Sequence, residues 1–285
     1  MKGIEFVTFH LSVGIGHEVH PNNTLMHTEY LSVIDMMFRS AAIVHPDMRA
    51  VVITDEATEL SWVSYPHKEI REKIDPEAMM LSRTRAQLRY LKTSNFASPI
   101  VFLDSDMLVN CPLTPLFSQD FDVAVTWRHV KKMPLNGGIL IMNNVRPNVV
   151  RSFFSRFLDL FETKYAHKAG WYGDQLAIAE LIGLTSHECA VNQIVQVGDC
   201  RVLLLPCREY NFSPENTFKA IESALTDKVI LHFKGPRKHL MEPYWRGYLS
   251  GSDTYSLWSS LRRFIARQGI RKLVREESRS MGKEC

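Results

Sequence analysis

Short strand-like apolar runs and longer helical patterns alternate along most of this chain. The strand-like runs occupy 3–9, 50–54, 100–103, 121–127, 138–142, 202–205 and 229–233. Segments with apolar residues at helical spacing occupy 24–44, 79–93, 148–164 and 174–183. This alternation predicts one doubly wound α/β domain with some mixed strands, in which the first βαβ crossover is right-handed.

The run from Ile100 to Leu103 is apolar at every position. Such a run is typical of a strand that is buried on both faces of a sheet, so helices should cover both faces. In the helical segment before it, the leucines should face the core, and Arg83 and Arg85 should face the solvent.

Two stretches within this region have no strand or helix pattern. Residues 12–23 are polar and predict a loop. Residues 59–76 have no clear period and contain two prolines, so we predict a surface loop or a short helix there.

The last segment differs in kind, and we divide the chain into a domain at 1–248 and a basic amphipathic tail at 249–285. Between 256 and 274, apolar residues recur at helical spacing among several arginines, and Gly269 is expected to break the segment into two helices. A helix docked on the domain would bury Leu261 and Phe264. The alternative is a surface helix held at an anionic membrane.

Composition adds limits on partners and on location. The chain has 285 residues, and 34 Lys and Arg against 31 Asp and Glu give a net charge of +3, too mild to indicate a nucleic-acid partner. Five cysteines form no CxxC pair, which favours a reducing compartment. Neither a spanning apolar run nor a signal peptide is evident, so we expect a soluble cytoplasmic protein.

The first candidate for chemistry is the pair of carboxylates that follows the run 100–103. Asp104 and Asp106 stand where open α/β sheets bind their ligands, at the carboxyl end of a strand. Two such carboxylates repel each other unless a hard cation such as Mg²⁺ or Mn²⁺ neutralises them. The alternative is that Asp104 caps a turn and Asp106 begins a solvated loop.

Two further motifs carry polar groups next to glycines. Asn136, Gly137 and Gly138 are expected to form a glycine turn before the strand 139–142, or a backbone that a ligand approaches closely, with Asn136 offering an amide. Asp174 and Gln175 follow Gly173 at a helix start, where Asp174 either caps the helix or accepts hydrogen bonds from sugar hydroxyls.

The fourth motif, His-x-x-Gly-x-x-Lys, follows the apolar run 229–233. An imidazole at a strand end, here His232, is able to ligate Mn²⁺. Gly235 would admit a phosphate, and Lys238 would supply a point charge to it.

In this order, the Asp-Ser-Asp, Asn-Gly-Gly, Gly-Asp-Gln and His-x-x-Gly-x-x-Lys motifs resemble those of the retaining glycosyltransferases of the glycogenin and lipopolysaccharide galactosyltransferase family. The resemblance covers residues 3–238. It implies a single GT-A-type, Rossmann-like domain with a mostly parallel mixed sheet and helices on both faces, followed by a C-terminal helical extension. It also implies a metal-dependent hexosyltransferase that moves a sugar from a nucleotide-diphosphate sugar, with a UDP-sugar as the expected donor, to a glycan, glycolipid or other hydroxyl acceptor.

The resemblance further assigns a metal site and a donor pocket. Asp104, Asp106 and His232 would bind Mn²⁺ or Mg²⁺. The donor sugar would be held by the Asn-Gly-Gly and Gly-Asp-Gln motifs, that is, by Asn136, Gly137, Gly138, Asp174 and Gln175.

The same resemblance assigns the diphosphate and the base. Gly235 and Lys238 would contact the diphosphate, Arg83 or Arg85 would supply a basic donor contact, and Phe9, His10 or Ser12 would lie by the base. One departure is that His239 and Leu240 stand where the family usually has Pro-Trp, and it concerns the acceptor side of the pocket more than the metal.

Mechanism and rival functions follow from the same residues. Lys238 and the cation would stabilise the leaving diphosphate. No glutamate nucleophile is evident and Gln175 is a poor one, so a front-face route with retention is favoured. The alternatives are a phosphohydrolase of the haloacid dehalogenase type, whose DxD motif lies near the N-terminus, and a non-catalytic nucleotide-sugar-binding protein.

Overall fold

The computed structural model describes residues 3–11, 27–128, 130, 133–184, 192–251 and 257–281. The predicted loop at 12–23, including Ser12, and the first residues of the predicted helix 24–44 lie outside these ranges. The strands are β1 (Glu5–Phe9), β2 (Arg49–Thr54), β3 (Lys68–Arg71), β4 (Ile100–Leu103), β5 (Met107–Val109), β6 (Val123–Trp127), β7 (Leu135–Met142), β8 (Ile194–Val197), β9 (Cys200–Pro206) and β10 (Ile230–His232).

The α-helices are α1 (His27–Val44), α2 (Met79–Thr93), α3 (Pro147–Lys164), α4 (Gly173–Ile182), α5 (Cys207–Tyr210), α6 (Met241–Tyr244) and α7 (Leu257–Met281). Short 3₁₀ helices span Thr114–Ser118, Ala166–Lys168, Phe218–Ile221 and Gly235–Leu240, and a π-helix spans Trp245–Leu249.

Eight strands form one mixed sheet in the order β3-β2-β1-β4-β7-β6-β9-β8. The pairs β3–β2, β2–β1, β1–β4 and β6–β9 are parallel, and the pairs that involve β7 or β8 are antiparallel. β5 and β10 form a separate antiparallel pair. The α/β architecture with a mixed sheet is therefore as the sequence predicts.

Both faces of the sheet are buried, as the unbroken run 100–103 predicts. Val101 and Leu103 belong to the apolar core that includes Phe38 of α1. Phe102 belongs to the opposite core, where its ring centroid is 6.1 Å from that of Phe154 in α3. Helices thus cover both faces, and β4 has no solvated side on which a polar residue would be favoured.

Three local predictions are wrong. The region 59–76 contains β3, an edge strand that the pattern misses because Lys68–Arg71 is mostly charged and exposed. The Asn-Gly-Gly motif is not a turn before a strand, since residues 136–138 lie within β7 beside a register shift against β6. Helix α7 runs through Gly269 without a break.

The C-terminal helix contacts the domain at the π-helix Trp245–Leu249 and at the 3₁₀ helix Phe218–Ile221, places that the sequence did not indicate. Ile270 is buried, and Arg267 Nε donates a hydrogen bond to the Gly247 carbonyl oxygen at 3.1 Å. Leu261 and Phe264 are 46% and 58% exposed, so their expected burial in a docked helix is wrong. The division of the chain at 249 stays a prediction. Within the described ranges, every helix is too short or too polar to cross a bilayer.

Candidate functional site

Two carboxylates and one imidazole meet where β4, β5 and β10 come together. Asp104 follows β4, Asp106 precedes β5, and His232 ends β10, which pairs with β5 so that His232 lies opposite Met107. One ligand atom from each of the three side chains lies within 4.8 Å of the others. The sequence-predicted metal residues are therefore brought together.

The imidazole presents one particular nitrogen to this cluster. His232 Nε2 is 3.2 Å from Asp106 Oδ1 and 3.9 Å from Asp104 Oδ2. Backbone hydrogen bonds hold both acids in place, because the Asp104 N–H donates to the Gly138 carbonyl and the Phe233 N–H donates to that of Asp106, each at 2.8 Å. Carboxylate oxygens with an imidazole nitrogen are a donor set that suits Mn²⁺, and Mg²⁺ favours the oxygens.

The two acids have different electrostatic surroundings. Burial raises the pKa of Asp104, although Arg83 and His232 oppose this shift. Burial would also raise the pKa of Asp106, but His232 and Lys238 outweigh it and hold that pKa below its ordinary value. Lys238 Nζ lies 2.8 Å from Asp106 Oδ2. The cluster therefore has a carboxylate that stays ionised at neutral pH.

Arg83 on α2 links the cluster to the Gly-Asp-Gln motif. Its guanidinium donates to Asp104 Oδ1 at 2.7 Å and to Asp174 Oδ2 at 2.5 Å, and the residue is buried rather than solvated as predicted. Burial would lower the pKa of Arg83, but the two carboxylates raise it above its ordinary value. One fixed positive charge thus serves two acids that are far apart in sequence.

The glycines of the Asn-Gly-Gly motif let β7 lie directly against these side chains. A Cβ atom at Gly138 would be 2.8 Å from His232 Cε1 and 2.9 Å from Asp104 Oδ2. At Gly137 it would be 3.1 Å from Asp174 Oδ2. Real Cβ atoms essentially never approach as closely as the first two distances. Close packing by these side chains therefore requires glycine at 138, whereas at 137 the neighbouring side chains would have to shift slightly, and the approach of a ligand to this backbone stays a prediction.

Asp174 and Gln175 occupy the first turn of α4. Gly173 before them has no room for a side chain, since a Cβ atom there would be 2.3 Å from Phe161 Cε2. Asp174 is buried, and its Oδ1 atom accepts no hydrogen bond from the described residues; the buried Nε of Arg83 likewise has no partner among them. Buried polar atoms are usually paired. A ligand hydroxyl is one group that would pair them.

The other sequence-predicted residues are placed as follows. Gly235 has φ of +60°, a conformation that favours glycine, at the start of the 3₁₀ turn that carries Lys238. Arg85 is exposed and pairs with Glu162 at 2.7 Å, so the structure does not bring it to the cluster. Phe9 and His10 lie at the carboxyl end of β1, and their contact with a base stays a prediction.

Sequence reasoning missed two buried polar residues next to this cluster. Asn211 Oδ1 is 2.8 Å from His232 Nδ1, and Asn211 Nδ2 is 2.9 Å from Thr126 Oγ1. Neither residue belongs to a recognisable motif, so the sequence contains no signal that would have identified them.

Comparisons with known proteins support the fold. No protein-family model matches the chain, and the search of curated proteins gives no match. Among solved structures, the glycosyltransferase GlyE of Streptococcus pneumoniae TIGR4 is similar at a TM-score of 0.51 and 15% identity, over 93% of this chain and 64% of GlyE. Its apo form gives the same TM-score and identity, with 63% of that chain covered. This chain thus spans less than two thirds of GlyE.

A galactosyltransferase, LgtC, solved in complex with donor and acceptor sugar analogs, has a TM-score of 0.48 and 15% identity over 92% of this chain and 95% of that one. Because GlyE is only 15% identical, its likeness to this chain shows the fold alone. That fold is of the GT-A type, as the resemblance of the motifs implies.

Proposed function

We propose that this chain is a metal-dependent glycosyltransferase that moves a hexose from a nucleotide-diphosphate sugar, with a UDP-sugar as the expected donor, to a hydroxyl acceptor. The observation that carries the proposal is the meeting of Asp104, Asp106 and His232, all within 4.8 Å, beside the packed backbone of Gly138. The GT-A-type fold shared with GlyE supports the same reaction class.

Asp104, Asp106 and His232 are the residues that would hold Mn²⁺ or Mg²⁺. When bound, the ion would offset negative charge on a diphosphate leaving group. The side chain of Lys238 is 12% exposed and its ammonium lies 2.8 Å from Asp106, so it adds a positive charge at the same edge. A preorganised charge of this kind acts where negative charge develops in the transition state.

Asp174 and Arg83 are proposed to hold the donor sugar. Asp174 Oδ1 offers a buried acceptor and Arg83 Nε a buried donor, and hydroxyl groups of a sugar satisfy both types. The ion pair at 2.5 Å fixes the carboxylate and the guanidinium before any ligand arrives. Asn136, Gly137 and Gln175 would form the adjoining wall.

Retention of configuration is part of the proposal. Asp174, the carboxylate assigned to the donor pocket, is ion-paired with Arg83, which makes it a weak nucleophile, and Gln175 is a poor one. A front-face route, in which donor cleavage and acceptor attack occur on the same side of the sugar, therefore accounts better for these side chains.

Two alternatives make opposite predictions. A phosphohydrolase of the haloacid dehalogenase type would release inorganic phosphate from p-nitrophenyl phosphate, and the GT-A-type fold argues against it. A non-catalytic nucleotide-sugar-binding protein would bind a donor saturably but would show no turnover with any of many acceptors.

The test is a panel of nucleotide sugars with Mn²⁺, scored first for protection against thermal unfolding and then for transfer. A donor at 100 times its dissociation constant should stabilise the protein by about 2.7 kcal/mol. Asp106→Ala should lose Mn²⁺-dependent donor protection and transfer while it stays folded. Transfer by Asp106→Ala at the parent rate in chelator-treated buffer would refute the metal assignment.

We also propose a cytoplasmic protein whose tail binds an anionic membrane surface and so approaches a glycolipid acceptor. Leu261, Phe264 and Ile265 are 46%, 58% and 60% exposed on α7, and basic residues recur along the same helix. Exposed apolar side chains together with cations are the features of an interfacial helix.

A further inference from the structure

The histidine of the metal cluster has its second nitrogen buried against an amide. His232 is 4% exposed, and its Nδ1 atom lies 2.8 Å from Asn211 Oδ1. The other nitrogen, Nε2, faces Asp106 and Asp104. Which nitrogen carries the proton therefore decides whether Nε2 offers a lone pair to a cation or a proton to the acids.

Asn211 is itself held on its other side. It is 3% exposed and follows the short helix α5, and its Nδ2 atom lies 2.9 Å from Thr126 Oγ1 and 3.4 Å from the Asn136 carbonyl oxygen. Thr126 Oγ1 is in turn 2.9 Å from the same Asn136 oxygen. Four residues from four separate parts of the chain thus form one chain of hydrogen bonds, which is buried at His232 and Asn211 and partly buried at Asn136.

The direction of these bonds is set at one end, because a carbonyl oxygen only accepts. Asn211 Nδ2 lies 3.4 Å from the Asn136 oxygen and 2.9 Å from Thr126 Oγ1, and only an amide nitrogen is able to donate to that carbonyl oxygen. Only the amide nitrogen of Asn211 donates, which turns its Oδ1 towards His232. Because that oxygen only accepts, Nδ1 of His232 must carry a proton.

We propose that Asn211 is a positioning residue that keeps the Nδ1 proton on His232 and so leaves the Nε2 lone pair for the metal ion. This rests on the proposed function, since it assumes a cation held by Asp104, Asp106 and His232. The same bonds tie His232 to the backbone of Asn136, next to the glycines that pack on the cluster. A rotation of the imidazole would break its hydrogen bond to Asn211 and leave the buried Oδ1 atom of Asn211 without that donor.

Outer-shell hydrogen bonds of this kind commonly change metal affinity by 10–100-fold when removed. Two variants separate the acceptor from the bulk of the side chain. Asn211→Leu keeps the branched shape and the number of side-chain heavy atoms but has no acceptor for the Nδ1 proton, and Asn211→Asp keeps the acceptor. Asn110→Leu is the matched control, because Asn110 makes hydrogen bonds to Leu225, Lys228 and Tyr244 rather than to the cluster.

The first measurement is Mn²⁺ affinity of the full chain by calorimetry, with thermal unfolding of each variant alongside. We expect Asn211→Leu to weaken Mn²⁺ binding by about 10–100-fold and Asn211→Asp to lose less than about tenfold. Asn110→Leu should lower the unfolding temperature without changing Mn²⁺ affinity. Equal affinity in Asn211→Leu and the parent overturns the proposal.

The second measurement needs neither metal nor variant. Long-range ¹H–¹⁵N NMR on the metal-free parent should find a proton on His232 Nδ1 that exchanges slowly with solvent. A parent that binds no Mn²⁺ but has this proton refutes the metal-dependent function and leaves the hydrogen-bond chain intact. An Nδ1 atom without a proton refutes the role of Asn211 whatever the metal affinity.

Discussion

Substitution of Gly138 by alanine tests whether the backbone of β7 shapes the metal cluster. The added Cβ atom would lie 2.6 Å from Met107 Cε, 2.8 Å from His232 Cε1 and 2.9 Å from Asp104 Oδ2. Met107 ends in a flexible methyl group that is able to move aside. His232 is held by a hydrogen bond to Asn211, and Asp104 is held by an ion pair with Arg83. Neither side chain is free to move aside, so the substitution must strain or displace them.

The size of the effect follows from the cost of overpacking. An extra methyl group in a well-packed site commonly costs about 1–3 kcal/mol. If the candidate metal ligands take up that strain, the same free energy corresponds to roughly a 5- to 150-fold loss of Mn²⁺ affinity. At Gly137 the nearest atoms would be 3.1 Å away and belong to Asp174 and Gln175, so Gly137→Ala should disturb the donor pocket more than the metal ligands.

The assay is a Mn²⁺ titration of Gly138→Ala, Gly137→Ala and the parent, with thermal unfolding of each. Gly269→Ala is the control, since a Cβ atom there meets no atom within 4 Å and alanine favours a helix by about 1 kcal/mol over glycine. We expect only Gly138→Ala to lose Mn²⁺ affinity by fivefold or more. Parent-like Mn²⁺ binding by Gly138→Ala would show that the cluster does not depend on this contact, and the reasoning would be refuted.

Three further predictions concern other parts of the molecule. Arg83→Ala leaves two acids without their buried cation and should reduce the free energy of unfolding in urea by about 3–5 kcal/mol, whereas Arg85→Ala, at an exposed pair, should cost less than about 1 kcal/mol. Similar losses for the two variants would contradict the buried role of Arg83. Burial lowers the pKa of His45 from 6.5 to about 4, so the unfolded chain binds more protons between these values and stability falls as the pH drops through them. The loss should reach about 3 kcal/mol at pH 4 in urea titrations and be smaller in His45→Gln, and equal profiles would exclude this residue as the cause. Replacing Phe264 and Ile265 by serine should abolish co-sedimentation with anionic vesicles at low salt without lowering the unfolding temperature, and a parent that ignores such vesicles removes the membrane proposal.

Much of the fold follows from local pattern alone. The helix Met79–Thr93 and the strand Ile100–Leu103 have the predicted bounds, because apolar spacing reports burial directly wherever one element packs on the core. The edge strand Lys68–Arg71 is missed for the same reason. Its side chains are mostly charged and exposed, so their pattern is that of a surface loop, although its backbone pairs with β2. Strand pairing is invisible to a pattern of side chains.

The helix α2 illustrates where the pattern misleads. Arg83 and Arg85 are separated by about 200° around the helix, and both look like solvent-facing residues. Helices α3 and α4 also contact α2, so a wide arc of it is covered. A polar residue that faces a functional cleft and one that faces water look the same in the sequence pattern. Only the packing of neighbouring elements decided that Arg83 is buried between Asp104 and Asp174 while Arg85 pairs at the surface.

The sequence by itself determined the class of fold and the chemical types in the cluster, because paired carboxylates after a buried strand, close glycines and a histidine at a strand end are all local signals. Tertiary structure alone decided how they meet. The pairing of β10 with β5 places His232 beside acids more than 120 positions earlier in the chain. It also brings Asn211 and Thr126 behind the imidazole, where hydrogen-bond direction rather than any residue pattern selects which nitrogen faces the acids.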